Sequence, residues 1–209
     1  MPRSTTRTNV ASAPRGVGPA LRDHLVDATI ALVDESQDES RISLRAMARA
    51  AGVAAPSIYP HFPDRDALLA AAMDRSWEQL LDEIVASATA ARTPRTRLLR
   101  GCQAYVAFAQ RHPLRYSLMT RSTTASPAAR RALELLTTSL TLTCDDTAPR
   151  GIPVSRGAAA LSTALHGLAS MHRSDAPSLW LGGFTQAQVL ETVVDAAITA
   201  TAKVHPPRR

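Results

Sequence analysis

Between Ser43 and Leu69 the chain reads SLRAMARAAGVAAPSIYPHFPDRDALL, and this stretch restricts the possible folds more tightly than any other. Leu44, Met47, Ala48 and Ala51 recur at spacings of three and four, which puts them on one helix face and leaves Arg45 and Arg49 on the other. Ser43 stands where its hydroxyl can accept an otherwise orphan backbone N–H, an N-cap position. Gly52 follows at once, and a residue without Cβ turns left-handed at little cost, so the helix ends there. Pro56 suits the first turn of a second helix, where a missing N–H has no partner to lose. That helix is expected over Ala55 to Pro60, closed by His61 and Phe62. Pro63 and Asp64 start a third, which carries Ala67, Leu68, Ala71 and Ala72 inward. Three helices then meet around Ile58 and Phe62, in the order of a helix-turn-helix.

Ala51, Gly52, Val53, Ser57, Ile58, Tyr59, His61, Phe62 and Arg65 together resemble the DNA-binding signature of the tetracycline-repressor (TetR) family of bacterial transcription regulators. The preceding stretch, LRDHLVDATIALVDES, resembles the family's first helix, with Leu25, Ala28, Ile30 and Leu32 as its apolar seam. Two departures stand out. The polar run Asp34 to Arg41 lies where the family usually has glycine, and Pro60 occupies a position that commonly touches DNA, which removes one contact.

The resemblance implies double-stranded DNA as partner, with the second helix in the major groove. Ser57 can bond to a base or a phosphate, while Ala55 and Pro56 offer only apolar contact, for instance to a thymine methyl. Tyr59, His61 and Arg65 are expected as phosphate anchors, with Ser43 and the start of its helix on the other side. Arg45 is long enough to reach a guanine edge or a phosphate, and Arg22 opens the first helix among the basic residues facing DNA. A helical hairpin that merely packs would use the same Leu44, Met47, Ile58 and Phe62. It gives no reason for the amphipathic rings of Tyr59 and His61 beside Ser57 and Arg65.

Composition agrees with an all-α fold: alanine and leucine dominate 209 residues and only nine glycines occur. The net charge of +6 suits an anionic partner, yet Met1 to Arg75 holds nine arginines against nine acidic residues, so placement matters more than total charge. Residues 1–17 read as a disordered basic arm carrying Arg3, Arg7 and Arg15, residues 18–66 as the DNA-binding domain, and residues 67–209 as a helical ligand-binding and dimerisation domain. No signal peptide or apolar run of the ~20 residues that span a bilayer is visible, which predicts a cytoplasmic protein without membrane contact. Cys102 and Cys144 lack disulfide-framework or zinc spacing. No phosphate loop, metal-ligand spacing or nucleophile–base pair is visible either, so neither catalysis nor a cofactor or metal is expected.

Beyond Glu83 the periodicity predicts helices from about Pro94 to Gln110, through Leu114 to Met119, from Pro127 to Leu142, from Ser155 to His172 and from Thr185 to Ala202. The segments ALHGLASM, from Ala164, and HPLRYSLM, from His112, resemble the tryptophan-histidine-glycine variety of TetR-family C-terminal domain, with Leu165 where tryptophan is common. Tyr105, Phe108, Tyr116, Met119, His166 and Trp180 are expected to line an effector pocket. Leu161, Leu165 and Leu168, with Leu190, Val194, Ala197 and Ile198, form apolar stripes wider than one core needs, and are expected at a homodimer interface. The reading is a repressor released from a pseudo-palindromic operator by a small molecule. The alternative is a helical sensor or interaction protein whose N-terminal domain is structural.

Overall fold

The computed structural model describes residues 18–121, 126–143, 152–171 and 179–202. The basic arm over residues 1–17, with Arg3, Arg7 and Arg15, lies outside the described residues, as does Cys144. Among the described residues there are eight α-helices and no strand. The chain divides into two compact units, Met1–Ala72 and Met73–Arg209, and the division falls inside α3.

The first unit holds α1 (Pro19–Glu35), a 3₁₀ turn at Glu39–Arg41, α2 (Leu44–Ala50), a second 3₁₀ turn at Ala55–Ser57, and the start of α3 (Arg65–Ala88). The buried side of α1 is Leu21, Leu25, Val26, Thr29, Ile30 and Val33. Ala28 and Leu32, expected in the seam, are only half-buried. The seam is rotated toward Val26 and Val33, which are closed off completely along with Met47, Ile58 and Leu68. A seven-residue helix such as α2 is not stable alone, so burial of Met47 and its neighbours must hold it, at roughly 1.5–3 kcal/mol per large side chain.

The caps are those the sequence announces. Ser43 Oγ accepts from the Ala46 N–H at 3.2 Å. At the other end Gly52 takes φ +68, its N–H bonds to the Arg49 carbonyl at 3.1 Å, and the Val53 N–H reaches the Ala48 carbonyl at 3.0 Å. This pair of bonds is a Schellman cap, and it needs the left-handed residue. His24 then fastens α1 to the turn, since Nε2 lies 2.9 Å from the Ala51 carbonyl and must donate to it.

The second unit comprises the rest of α3 with α4 (Pro94–Arg111), α5 (Pro113–Arg121), α6 (Pro127–Thr141), α7 (Val154–Ser170) and α8 (Gln186–Thr201). Prolines open α4, α5 and α6, where an absent N–H costs nothing. Thr185 and Gln188 cap α8 reciprocally, in a capping box. Helix α7 is central, packing on α4, α6 and α8. Its approach to α8 depends on Gly157, where a Cβ would overlap the Thr201 methyl and press on Leu140.

Candidate nucleic-acid interface and ligand cavity

The expected second helix, Ala55 to Pro60, is shorter and tighter than an α-helix. It is one 3₁₀ turn at Ala55–Ser57, followed by turns through His61. The Ser57 N–H bonds to the Ala54 carbonyl at 2.9 Å and the Ile58 N–H to the Ala55 carbonyl at 3.2 Å. The His61 and Phe62 N–H groups share the Ile58 carbonyl, both at 2.9 Å. Neither Pro56 nor Pro60 has an N–H for an α-type ladder, and three of these four bonds are of the i→i+3 type, with Phe62 to Ile58 the one α-type bond.

Tight as it is, this turn sorts its side chains cleanly. Ile58 and Phe62 enter the core, while Tyr59 between them is 58% exposed. Pro56 and Pro60 are exposed, and Ala55 and Ser57 half-buried. On α2, Ser43, Arg45 and Arg49 are exposed, and neither arginine side chain has a hydrogen bond or ion pair among the described residues. Arg22 lies over the Phe62 ring, 5.0 Å from its centroid, so its stem is positioned while its N–H edge stays in solvent.

Two expected phosphate anchors are placed differently. Arg65 is occupied inside the fold: Nε donates to the Ile42 carbonyl at 2.6 Å, and the guanidinium pairs with Glu39 at 3.1 Å and with Asp66 at 2.7 Å. Partial burial works against its charge, but the two carboxylates outweigh that and hold its pKa above the ordinary value. The fork is therefore a latch between α3 and the loop before α2. His61 is half-buried, and its Nε2 is shielded from solvent without a hydrogen-bond partner, so that nitrogen does not face a phosphate.

The second unit contains a cavity of about 410 Å³ walled by α3, α4, α6 and α7. Of the six expected pocket residues, only Tyr105 lines it. Phe108 and Met119 are packed in the core and Tyr116 is buried behind Tyr105, whereas Trp180 is 85% exposed. His166 is on the outer side of α7, yet it is tied to the cavity wall. The Tyr105 and Tyr116 hydroxyls are 2.9 Å apart, and the Tyr116 hydroxyl is 2.7 Å from His166 Nδ1. Burial raises the pKa of both phenols, and for Tyr116 the neighbouring Tyr105 adds to the rise, so both stay protonated and can relay a hydrogen bond.

Sequence reasoning missed Trp77, Val85, Arg97, Leu98, Cys102 and Leu133 in the wall. The available signal was Leu133 and Leu136 on the apolar stripe of α6, a stripe only Leu140 of which is closed off in the core. Arg97 carried no local signal.

Five of the seven expected dimer residues are placed in the core of one chain. Leu161, Leu165, Leu168, Leu190 and Val194 are all buried within one chain, and Ala197 and Ile198 pack half-buried against them. Most of the apolar stripes is covered where α7 meets α4, α6 and α8, while Ala197 and Ile198 keep part of their surface open. What those helices leave outside includes a set of small residues, Ala159, Ala160, Thr163 and Gly167 on α7 and Thr192, Ala196, Thr199 and Ala200 on α8, alongside the larger Arg156, His166, Gln188 and Glu191.

An exposed tyrosine and free arginines on a helix-turn-helix, followed in the chain by a cavity-bearing helical unit, define the class as a DNA-binding transcriptional regulator. Residues 36–72 match the family model described as bacterial regulatory proteins, tetR family, and residues 98–201 match the tetracyclin repressor-like C-terminal domain. The chain belongs to the TetR family.

The HTH-type transcriptional repressor KstR of Mycolicibacterium smegmatis is 33% identical over 101 residues, which are 48% of this chain. The match spans about half, 49%, of that repressor's length. Among solved structures, a protein of unknown function from Rhodococcus sp. RHA1 superposes with a TM-score of 0.71 at 24% identity, over 92% of this chain and 100% of the other. A tetR-family transcriptional regulator from Streptomyces coelicolor does so with a TM-score of 0.61 at 21% identity, over 87% and 80%. These two likenesses are of fold. Among the described residues no helix is long and apolar enough to cross a membrane.

Proposed function

We propose that the protein acts in the cytoplasm as a homodimeric repressor, bound to a pseudo-palindromic operator and released from it by a small molecule held in the cavity of the second unit. The observation that carries the DNA half is Tyr59. It is 58% exposed between two residues sunk in the core, so it contributes little to packing and is free for a phosphate. Ser43 joins it: the hydroxyl oxygen caps α2, and its hydrogen remains to donate. Arg45 and Arg49 supply the cations, and Ser57 with the faces of Ala55 and Pro56 supplies what base reading there is. Arg22 adds a cation beside Phe62.

The small outward residues of α7 and α8 support dimerisation, because alanine, glycine and threonine let two helix pairs approach closely without a large apolar patch being exposed beforehand. A dimer presents two reading heads, which matches an inverted repeat. Release requires the effector to favour a conformer in which those heads no longer match the half-sites, since equal affinity for both conformers would shift nothing.

The test is selection of bound duplexes from a random DNA pool, with the bound sites sequenced. An enriched inverted repeat, bound less tightly as salt rises, is the expected result. Folded protein that enriches no sequence at low salt would overturn the reading.

A further inference from the structure

The cavity of the second unit grades from dry to wet. At its bottom Leu98, Cys102 and Leu165 are 3%, 2% and 4% exposed, and burial pushes the Cys102 thiol up to about 12, which keeps it neutral. At its mouth Val85 and Leu133 are 55% and 47% exposed, apolar surface that water covers only at a cost. Arg97 is exposed as well, and among the described residues it is the one charged side chain in the wall. Arg95, two residues earlier, is clamped to Asp195 and Glu191. Arg97 by contrast makes one long bond, from a guanidinium nitrogen to the Ala91 carbonyl at 3.4 Å, and has no carboxylate partner among the described residues.

We propose that this cavity takes an aliphatic carboxylate, with its hydrocarbon chain along Leu98, Cys102 and Leu165 and its head group at the mouth against the Arg97 guanidinium. The assignment rests on the reading of the cavity as an effector site, and adds the chemistry of the effector. A cationic amphiphile meets a positive mouth and no carboxylate to pair with. A neutral hydrocarbon fills the bottom equally well but leaves the guanidinium unused. A carboxylate gains charge-assisted, forked hydrogen bonds from it.

Trp77 lines the cavity and Trp180 is exposed, so the full-length Trp180→Phe protein reports on the cavity through its remaining tryptophan. The probes are dodecanoate, methyl dodecanoate and dodecyltrimethylammonium, the two ions added below their micelle concentrations and the ester below its solubility limit. Saturable change in Trp77 emission is expected with dodecanoate, about fivefold tighter than with the ester, the size appropriate to a partly exposed charge pair. The cation should bind weakest. Arg97→Gln should remove the preference for dodecanoate without weakening the ester, and Arg97→Lys should restore part of it. Ester binding that equals dodecanoate binding, or an Arg97→Gln protein that keeps the preference, would overturn the proposal. Operator release is measured separately. Dodecanoate that binds with the charge preference but leaves the protein on DNA would support the ligand class and remove the effector role. Release by another compound, with no dodecanoate binding, would overturn the ligand class and leave the effector role standing.

Discussion

The Nε of Arg65 donates to the carbonyl oxygen of Ile42 at 2.6 Å, tying the first turn of α3 to the residue that precedes the Ser43 cap. The same guanidinium reaches Glu39 at 3.1 Å, so the loop between α1 and α2 is held at two points by one side chain. Arg65→Ala is expected to lower stability by about 1–2 kcal/mol, because it deletes charge-assisted bonds and leaves a sheltered carbonyl without its donor. Arg65→Lys should recover little of this, since an ammonium cannot make the Nε bond and the fork together. Urea denaturation measures both. An unchanged midpoint accompanied by lost DNA affinity would return Arg65 to the phosphate backbone.

Tyr59 makes the opposite case. Its exposed phenol is not needed for the core, so Tyr59→Phe should leave the denaturation midpoint where it is. Affinity should fall several-fold for operator and random DNA alike, as expected for a phosphate contact. Ser57→Ala should shift base preference at one or two positions of the site instead. A Tyr59→Phe protein that loses only its sequence preference would place the phenol on a base edge.

What the sequence disclosed depended on the range of the interaction. Ser43, Gly52 and the opening prolines act on atoms a few residues away, and their caps and helix starts could be read directly. Arg65 to Glu39 spans twenty-six positions and is decided by how the loop packs, so no local pattern contains it. The second helix illustrates the same boundary. Its place was legible from Gly52 and Pro56, but its 3₁₀ geometry was not anticipated, although Pro60 already lacked the required hydrogen. For α7 and α8 the apolar stripes were legible but not what covers them: periodicity shows that Leu161 and Leu165 are buried, not whether their own chain or a second copy buries them. The cavity was missed because its wall is assembled from four helices, and residues such as Val85 and Arg97 acquire meaning only once those helices are adjacent.

Gly157 is expected to tolerate no side chain. Its missing Cβ is the space occupied by the Thr201 methyl, with Leu140 next to it, and both are fully buried. Gly157→Ala gains helix propensity but forces α7 and α8 apart, at a net cost of about 1–3 kcal/mol. Thermal denaturation should show a lower midpoint, and Thr201→Ser, which removes the opposing methyl, should recover part of the loss in the double variant. A midpoint that rises on Gly157→Ala would mean that the helix pair shifts without strain.

Tyr116 is buried between a cavity residue and an outward one. Tyr116→Phe breaks both hydrogen bonds at once, leaving the Tyr105 hydroxyl and His166 Nδ1 each without that partner. A cost of about 1–2 kcal/mol is expected, since a sheltered hydroxyl loses its hydrogen-bond partner while the ring packing is kept. His166→Phe removes only the outer bond and should cost less. If the relay carries ligand binding to the outer face of α7, Tyr116→Phe should also weaken the effect of ligand on operator binding more than it weakens ligand binding itself. Equal loss in both would reduce the relay to a packing feature.

The cavity-facing thiol of Cys102 gives a pH dependence with a definite sign. Burial holds its pKa near about 12 in the folded protein against an ordinary 9.0, so between those values the unfolded chain releases a proton that the folded chain keeps. Stability is insensitive to this group below 9.0 and falls as pH rises through the window. Tyr105 and Tyr116 act in the same direction, but from the higher ordinary value of 10.0. The interval from 9.0 to 10.0 therefore belongs mainly to the thiol. Cys102→Ala should cost about 1 kcal/mol at neutral pH through lost packing, yet flatten the decline of stability over that interval. Denaturation midpoints measured across it for both proteins decide the matter: parallel declines would mean that Cys102 ionises in the folded state and that the bottom of the cavity is wet.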